Sequence, residues 1–252
     1  KSLHANSTAG SGQADAVMVL ALDTQTGKAT VIGIPRDSMV DVGEFVGDAF
    51  IGLDKMQLCL AYSYGDGRET SCQYTTTVAS RMLYNMPISY YFALDLSGVG
   101  PLNDAIGGVA LTPLQSIPNT AIVEGEDTVL FGSNALRYVQ WRDTSVLTSS
   151  LDRQARQVQY IKAFAAQALG MAQGNVGTLL DLFNTASEYS ITNLGVSEFG
   201  YLATSVLSSG ITNLNVTTLS GEMQHGEKYA EYYLDKNSVY ETVLDVYYRQ
   251  VD

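Results

Sequence analysis

The chain has 252 residues, 46% of them hydrophobic and 16% charged, with a formal net charge of -12 and a pI near 4.5. That length suits one large α/β domain or two small ones, and the composition is that of an ordinary globular protein. The acidic balance leaves no broad basic footprint for nucleic acid, and the longest apolar run, Ala16–Leu22, is of strand length and too short to span a bilayer.

Residues 1–14 are rich in Gly, Ser and Asn and read as loop. Ala16–Leu22 reads as a buried strand, DTQTGK as a turn, and Ala29–Ile34 as a second strand ended by Pro35. A hairpin centred on Gln25–Thr26 puts residue 15 opposite residue 36. Asp15 and Arg36 therefore share its open end, with Asp37 beside them. Two carboxylates and a guanidinium are the parts of a metal and phosphate site, or of a plain salt bridge at a strand end. Residues 38–57 read as a long irregular connection of mixed charge, and Met56–Tyr64 suits either strand or helix. Thr75–Asn85 predicts a helix, Ile88–Leu94 a strand, and Asp95–Gly107 a helix with Ser97 as its cap, stopped by Gly107-Gly108. Val109–Leu111 is a short strand; Val129–Phe131 precedes a short helix around Ser133–Leu136.

Cys59 and Cys72 lie 13 residues apart, in a stretch ending YGDGRETSC. They predict a disulfide that closes a surface loop, worth about 3 kcal/mol, and with it an oxidising compartment. The alternative is two unpaired buried thiols. His4 and His225 stand at the wrong spacing to complete a metal site with them.

The stretch Arg137–Gln157 (RYVQWRDTSVLTSSLDRQARQ) inverts the local charge. It carries four of the chain's eight arginines: Arg137, Arg142, Arg153 and Arg156. Ser149 and Asp152 form a capping-box pattern, which starts a helix running to about Leu169. Arg153, Arg156 and Gln157 then share one face of its first two turns, where cations oppose the helix dipole. A bound anion would compensate; a solvated face of surface ion pairs is the other reading. Val176–Ser187, Val196–Ser208 and Val239–Arg249 read as amphipathic helices and Asn213–Leu219 as a strand. The tyrosine-rich run Tyr229–Tyr248 reads as packing for a terminal helix. Strands alternating with helices predict an α/β fold, a three-layer α-β-α arrangement around a mixed sheet with an antiparallel hairpin. No linker or repeat divides it, so residues 1–252 form a single domain.

Taken together, Asp15 before AVMVLALD, then TGKATVIGIPRDSMVDV, KMQLCLAYSYGDG, LNDAIGGVAL, ALRYVQWRD and LDRQARQVQYIKAF resemble the LytR-CpsA-Psr family of bacterial cell-envelope proteins. The resemblance covers nearly the whole chain in order. It implies a phosphotransferase, active outside the membrane, that moves an anionic glycopolymer such as teichoic acid or capsule from a polyprenyl-pyrophosphate carrier onto peptidoglycan. It implies Mg²⁺ as cofactor with Asp15 as its ligand. Arg36, Arg142 and Arg153 become catalytic candidates, with Asp37 orienting Arg36. The pyrophosphate would be held by Arg36, Arg142, Arg153, Arg156, Gln157, Gln140 and Gln13. Two positions depart from the family pattern: Gln13 and Gln140 each stand where the family has Arg, and Arg137, one turn before Gln140, is a possible substitute. The helices Thr75–Met86 and Ile161–Leu169 are candidates to line a groove for the polyprenyl tail. The family pattern also implies a membrane helix and a strand ending in a G-x-D element before Lys1, which would anchor the full-length protein to the membrane on its extracytoplasmic side. A polyprenyl-pyrophosphate hydrolase and a non-catalytic polyprenyl-phosphate binder are the alternatives. An older description of such proteins as transcriptional attenuators fits poorly with the acidic balance and the missing helix-turn-helix pattern.

Overall fold

The computed structural model describes residues 12–46, 49–172, 175–211 and 214–248. Along the chain, β1 (Val17–Leu22) and β2 (Ala29–Ile34) are followed by β3 (Met39–Val46), β4 (Ala49–Gln57) and α1 (Glu69–Met82). Then come β5 (Phe92–Leu94), α2 (Val99–Ala105), β6 (Val109–Leu111), β7 (Thr128–Leu130) and α3 (Gly132–Gln140). The long α4 (Ser149–Ala172) leads to α5 (Val176–Glu188), β8 (Ser190–Thr192) and α6 (Val196–Ser208). The last elements are β9 (Asn215–Thr218), β10 (Gly221–His225), β11 (Ala230–Leu234) and α7 (Lys236–Tyr247).

The first two apolar runs form the expected hairpin. Strands β1 and β2 pair antiparallel from Val17↔Ile34 to Leu22↔Ala29. In the turn, the Asp23 carboxylate accepts the backbone N–H of Gln25 at 2.9 Å and of Thr26 at 3.2 Å, and Gly27 takes the left-handed conformation at φ 71. All six residues of β2 are buried, because β9 adds parallel to its other edge and makes it the centre of a mixed three-stranded sheet.

Helices cover both faces of that sheet. Side chains alternate along a strand, so Val17 and Val19 share a face with their partners Ile34 and Ile32. That face packs against Val78, Ala79 and Leu83 at the end of α1 and Val239 and Val243 of α7. On the opposite face a Cβ added to Gly33 would come within 3.3 Å of Gln154 Nε2, so the first turns of α4 cross there. A second apolar cluster joins α2 to α6 through Val99, Tyr138, Tyr160, Leu179 and Ala203. The three-layer arrangement is therefore present, with small two-stranded sheets attached around it.

The structure departs from the sequence reading in several places. Residues 38–57 are mostly a hairpin, β3 paired with β4 from Met39↔Gln57 to Val46↔Ala49, with a register shift at Glu44/Phe45. Leu53, Asp54 and Lys55, consecutive in the regularly paired part of β4 and so alternating between its faces, are all exposed. With neither face of β4 buried, no alternation is imposed on its sequence. The tyrosine-rich run begins with a strand, β11, paired with β10; α7 starts only at Lys236, where Asp235 accepts the Asn237 N–H at 2.9 Å. Likewise Asp95, not Ser97, caps the turn before α2, accepting the Ser97 N–H at 2.9 Å. Residues 1–11 of the expected first loop, Asn213 and Arg249 lie outside the described residues.

The expected disulfide is corrected. Cys59 and Cys72 are two separate buried thiols. Cys59 lies in the 3₁₀ stretch Leu58–Tyr64, where its N–H donates to the Arg36 carbonyl at 3.0 Å and its carbonyl accepts the Ala14 N–H at 3.3 Å. Its thiol is 3.9 Å from Gln13 Oε1, on the Arg36 side. Cys72 is on α1 and interacts with the Tyr62 hydroxyl. The intervening loop closes through other bonds: Tyr62 donates to the Gly67 carbonyl at 2.7 Å, and Gly67 N–H to Ser71 Oγ at 2.8 Å. The denatured, unreduced chain should therefore take up two alkyl groups from iodoacetamide by intact-mass measurement; a chain that takes up neither would restore the bridge.

Candidate active site

The hairpin register, continued by two residues, brings Asp15 opposite Arg36, and there the two side chains meet. Arg36 Nη1 donates to Asp15 Oδ1, Nη2 donates to Gln13 Oε1, and Nε is 3.5 Å from Asp37 Oδ1. Arg153, in the first turns of α4, reaches the same Asp15 oxygen, with Nη1 at 3.3 Å. One carboxylate oxygen thus gathers two guanidinium groups from opposite ends of the sequence. Asp37 is 6% exposed; Gln57 Nε2 donates to its Oδ1 at 3.3 Å. That position suits orienting Arg36.

Burial works against both guanidinium charges. For Arg36, burial lowers the affinity for the proton, but Cys59, Asp15 and Asp37 more than offset it and hold the group above its ordinary value. For Arg153, burial dominates and Asp15 only partly opposes it; the positive charges of Arg36 and Arg142 add to the downward shift. The Arg142 side chain itself is exposed. Arg153 is 7% exposed, and its Nε and Nη2 are buried without a partner among the described residues. Arg36 Nε and Ser150 Oγ are likewise without hydrogen bonds. Buried donors are normally satisfied, so these unpaired donors around the Asp15–Arg36 contact are atoms that an anion would satisfy.

The face of α4 predicted to carry the anion ligands divides in two. Arg153 joins the cluster; Arg156 does not, and Gln157 stands between, lining a cavity beside Asp15 and Arg36 while its amide N–H turns to α3. Arg156 Nη1 donates to the Tyr138 carbonyl at 2.6 Å and Nη2 to the Trp141 carbonyl, while Gln157 Nε2 donates to the Val139 carbonyl at 3.0 Å. All three acceptors lie at or just past the C-terminal end of α3, where a helix leaves carbonyls unpaired and the dipole favours cations. The dipole conflict read at the start of α4 is thus met in part by the end of α3. Gln140, in the last turn of α3, is exposed. Arg137 donates to the Pro118 carbonyl at 3.0 Å and fixes a loop, so it does not stand in for Gln140.

Ser150 and Gln154 were not anticipated. They line a small cavity with Asp15, Met18, Arg36 and Gln157. Their spacing from Arg153 and Gln157 along one helix face was a usable signal. Cys59 and Gln57 reach Arg36 and Asp37 only through the tertiary fold. Burial pushes the Cys59 thiol up, so it stays protonated at neutral pH and offers no metal ligand. Among the described residues no three His, Cys, Asp or Glu side chains cluster as a metal cage. Mg²⁺ is commonly held by one or two carboxylates, with water and substrate phosphates completing its shell. The Asp15 side chain, 24% exposed beside unsatisfied anion donors, fits that shared mode and not a protein-only site.

A family model described as LytR_cpsA_psr matches residues 5–245. The chain belongs to the LytR_cpsA_psr family. It is 32% identical over 180 residues to the probable cell wall biosynthesis protein LcpB of Corynebacterium glutamicum, covering 70% of this chain and 38% of that one. It is 26% identical over 219 residues to the polyisoprenyl-teichoic acid–peptidoglycan teichoic acid transferase TagU of Oceanobacillus iheyensis, covering 86% and 63%. The chain thus spans less than two thirds of either relative's length. In fold it is similar to B. subtilis TagV (TM-score 0.74, 20% identity, 98% and 94% coverage) and to TagT bound to LI-WTA (TM-score 0.70, 18% identity, 93% and 83% coverage). In this family member, Arg153→Met should remove a buried, half-satisfied charge while keeping its packing. It is expected to raise stability to urea by about 1 kcal/mol, although it empties the centre of the cluster. A drop of similar size would mean that the Asp15 pair outweighs the unsatisfied donors.

Proposed function

We propose that this domain is a phosphotransferase that moves an anionic glycopolymer from a polyprenyl-pyrophosphate carrier onto peptidoglycan, outside the membrane. The observation that carries this reading is Arg153, a nearly buried guanidinium with two donors unused, held beside Arg36 by Asp15. Such a clamp suits the adjacent phosphate groups of a pyrophosphate diester. The names of the TagU and TagV relatives support the donor and acceptor classes.

Phosphoryl transfer asks mainly for positioning and charge neutralisation. A sugar hydroxyl of the acceptor forms a bond to the saccharide-linked phosphorus, and its proton ends on the departing phosphate or in solvent. The bond from that phosphorus to the bridging oxygen breaks, and polyprenyl phosphate leaves. Arg36 and Arg153 fix the phosphate oxygens, Arg142 meets the exposed side of the diester, and Asp37 keeps Arg36 aimed.

Mg²⁺ is the cofactor in this proposal, with Asp15 as its protein ligand. Charge supports it: Arg36, Arg142 and Arg153 against Asp15 and Asp37 leave one net positive charge, too little for the two negative charges of the diester. A divalent cation supplies the missing neutralisation. EDTA should therefore abolish transfer and added Mg²⁺ restore it, followed by mass spectrometry of the products.

The main test incubates the protein with a short polyprenyl-pyrophosphate-linked saccharide, Mg²⁺ and peptidoglycan fragments. A saccharide-phosphate-peptidoglycan adduct is expected, reduced at least about a hundredfold by Arg36→Ala. Saccharide phosphate released without adduct would make the protein a hydrolase; substrate that stays intact yet co-purifies would make it a binder.

A further inference from the structure

Arg156 is the most deeply buried arginine among the described residues, at 1% exposure. Its hydrogen bonds and ring contacts lie at the end of α3: the Tyr138 and Trp141 carbonyls, and the rings of the same two residues at 5.8 and 5.3 Å from the guanidinium carbon. Gln157 adds the Val139 carbonyl. The other end of α3 is held as firmly, since Gly132 N–H donates to Asp104 Oδ1 at 2.8 Å. A carboxylate sits at the positive end of α3 and a guanidinium at the negative end, each favoured by the helix dipole. Arg142 follows Trp141 directly. The place from which its side chain starts is therefore set by where α3 ends.

We infer that Arg156 is a positioning residue for the phosphate-binding cluster: by holding the last carbonyls of α3 it fixes Arg142 beside Arg153, and it does not itself touch the anion. This rests on the proposed anion-binding role of the cluster. The same geometry gives the DAIGG and R-x-x-R-Q stretches a common purpose, the fixing of one short helix at its two ends.

Trp141 is the chain's only tryptophan, so the protein carries its own reporter at this point. Arg156→Lys keeps the charge but cannot fork to two carbonyls. It is expected to raise acrylamide quenching of Trp141 about twofold, with the far-UV circular dichroism of the folded protein unchanged. Unchanged quenching would overturn the inference without reference to any ligand. Calorimetry with inorganic pyrophosphate then compares wild type, Arg156→Lys, Arg142→Ala and the double variant. Arg156→Lys should weaken binding about tenfold when Arg142 is present and less than about twofold when it is absent. Equal losses in both backgrounds would also overturn it. Should Arg156→Lys fail to fold, Gln157→Leu, which removes one of the three carbonyl bonds, should give smaller changes in the same directions; no change in either readout would count against the inference. A wild type that does not bind pyrophosphate would remove the proposed function, while the quenching result would still decide whether Arg156 holds Trp141.

Discussion

The site depends on one carboxylate. Two guanidinium groups do not approach one another in a largely buried place without a shared counter-charge, because their repulsion and their lost hydration both oppose it. Asp15 supplies that counter-charge, with one oxygen to Arg36 and Arg153. It compensates only part of the burial of Arg153, whose proton affinity still falls. An incompletely compensated arginine pair is less stable than a fully paired one, and for the same reason more receptive to an anion. Stability and binding are set against each other at this point of the fold.

Around Asp15 the scaffold is arranged so that few groups can move. The hairpin register aligns Asp15 with Arg36, because both strands are pinned by apolar side chains on a buried face. Gln57 and Gln13 hold the two sides of this end. Helix α4 contributes Arg153 from a face that also crosses the sheet at Gly33, where a larger residue would press on Gln154. Gln157 and Arg156, one turn on from Arg153, grip α3. The cluster is therefore built by three elements, and α4 touches both of the others.

How much of this was legible in the sequence differed with the length of the interaction. Asp15 facing Arg36 followed from counting residues in a hairpin, since β pairing has a fixed period. The helical face that carries Arg153 followed from i, i+3 and i+4 spacing. The same spacing misplaced Arg156, because a helix face says which side chains are neighbours and not what lies opposite them. The β3–β4 arm was unreadable for a different reason. With Leu53, Asp54 and Lys55 all exposed, burial imposed no alternation, and the strand looked like a loop. The cysteines misled because spacing alone fitted a bridge, whereas the backbone of Cys59 is bound to that of Arg36 and its thiol faces Gln13.

By itself the sequence determined the local elements that carry the site: the first hairpin, the long arginine helix, and the α/β layering that their alternation demands. These rest on periodicity and turn chemistry, which act over a few residues. Tertiary structure alone decided which arginine faces a carboxylate and which one grips a helix end. Arg153 and Arg156 have the same chemistry and lie three residues apart, but one meets a carboxylate through Nη1 and leaves Nη2 and Nε unused, while the other gives both Nη groups to the carbonyls at the end of a helix and leaves only Nε unused. The role of a guanidinium is set by the acceptor it faces, and that acceptor comes from a distant part of the chain.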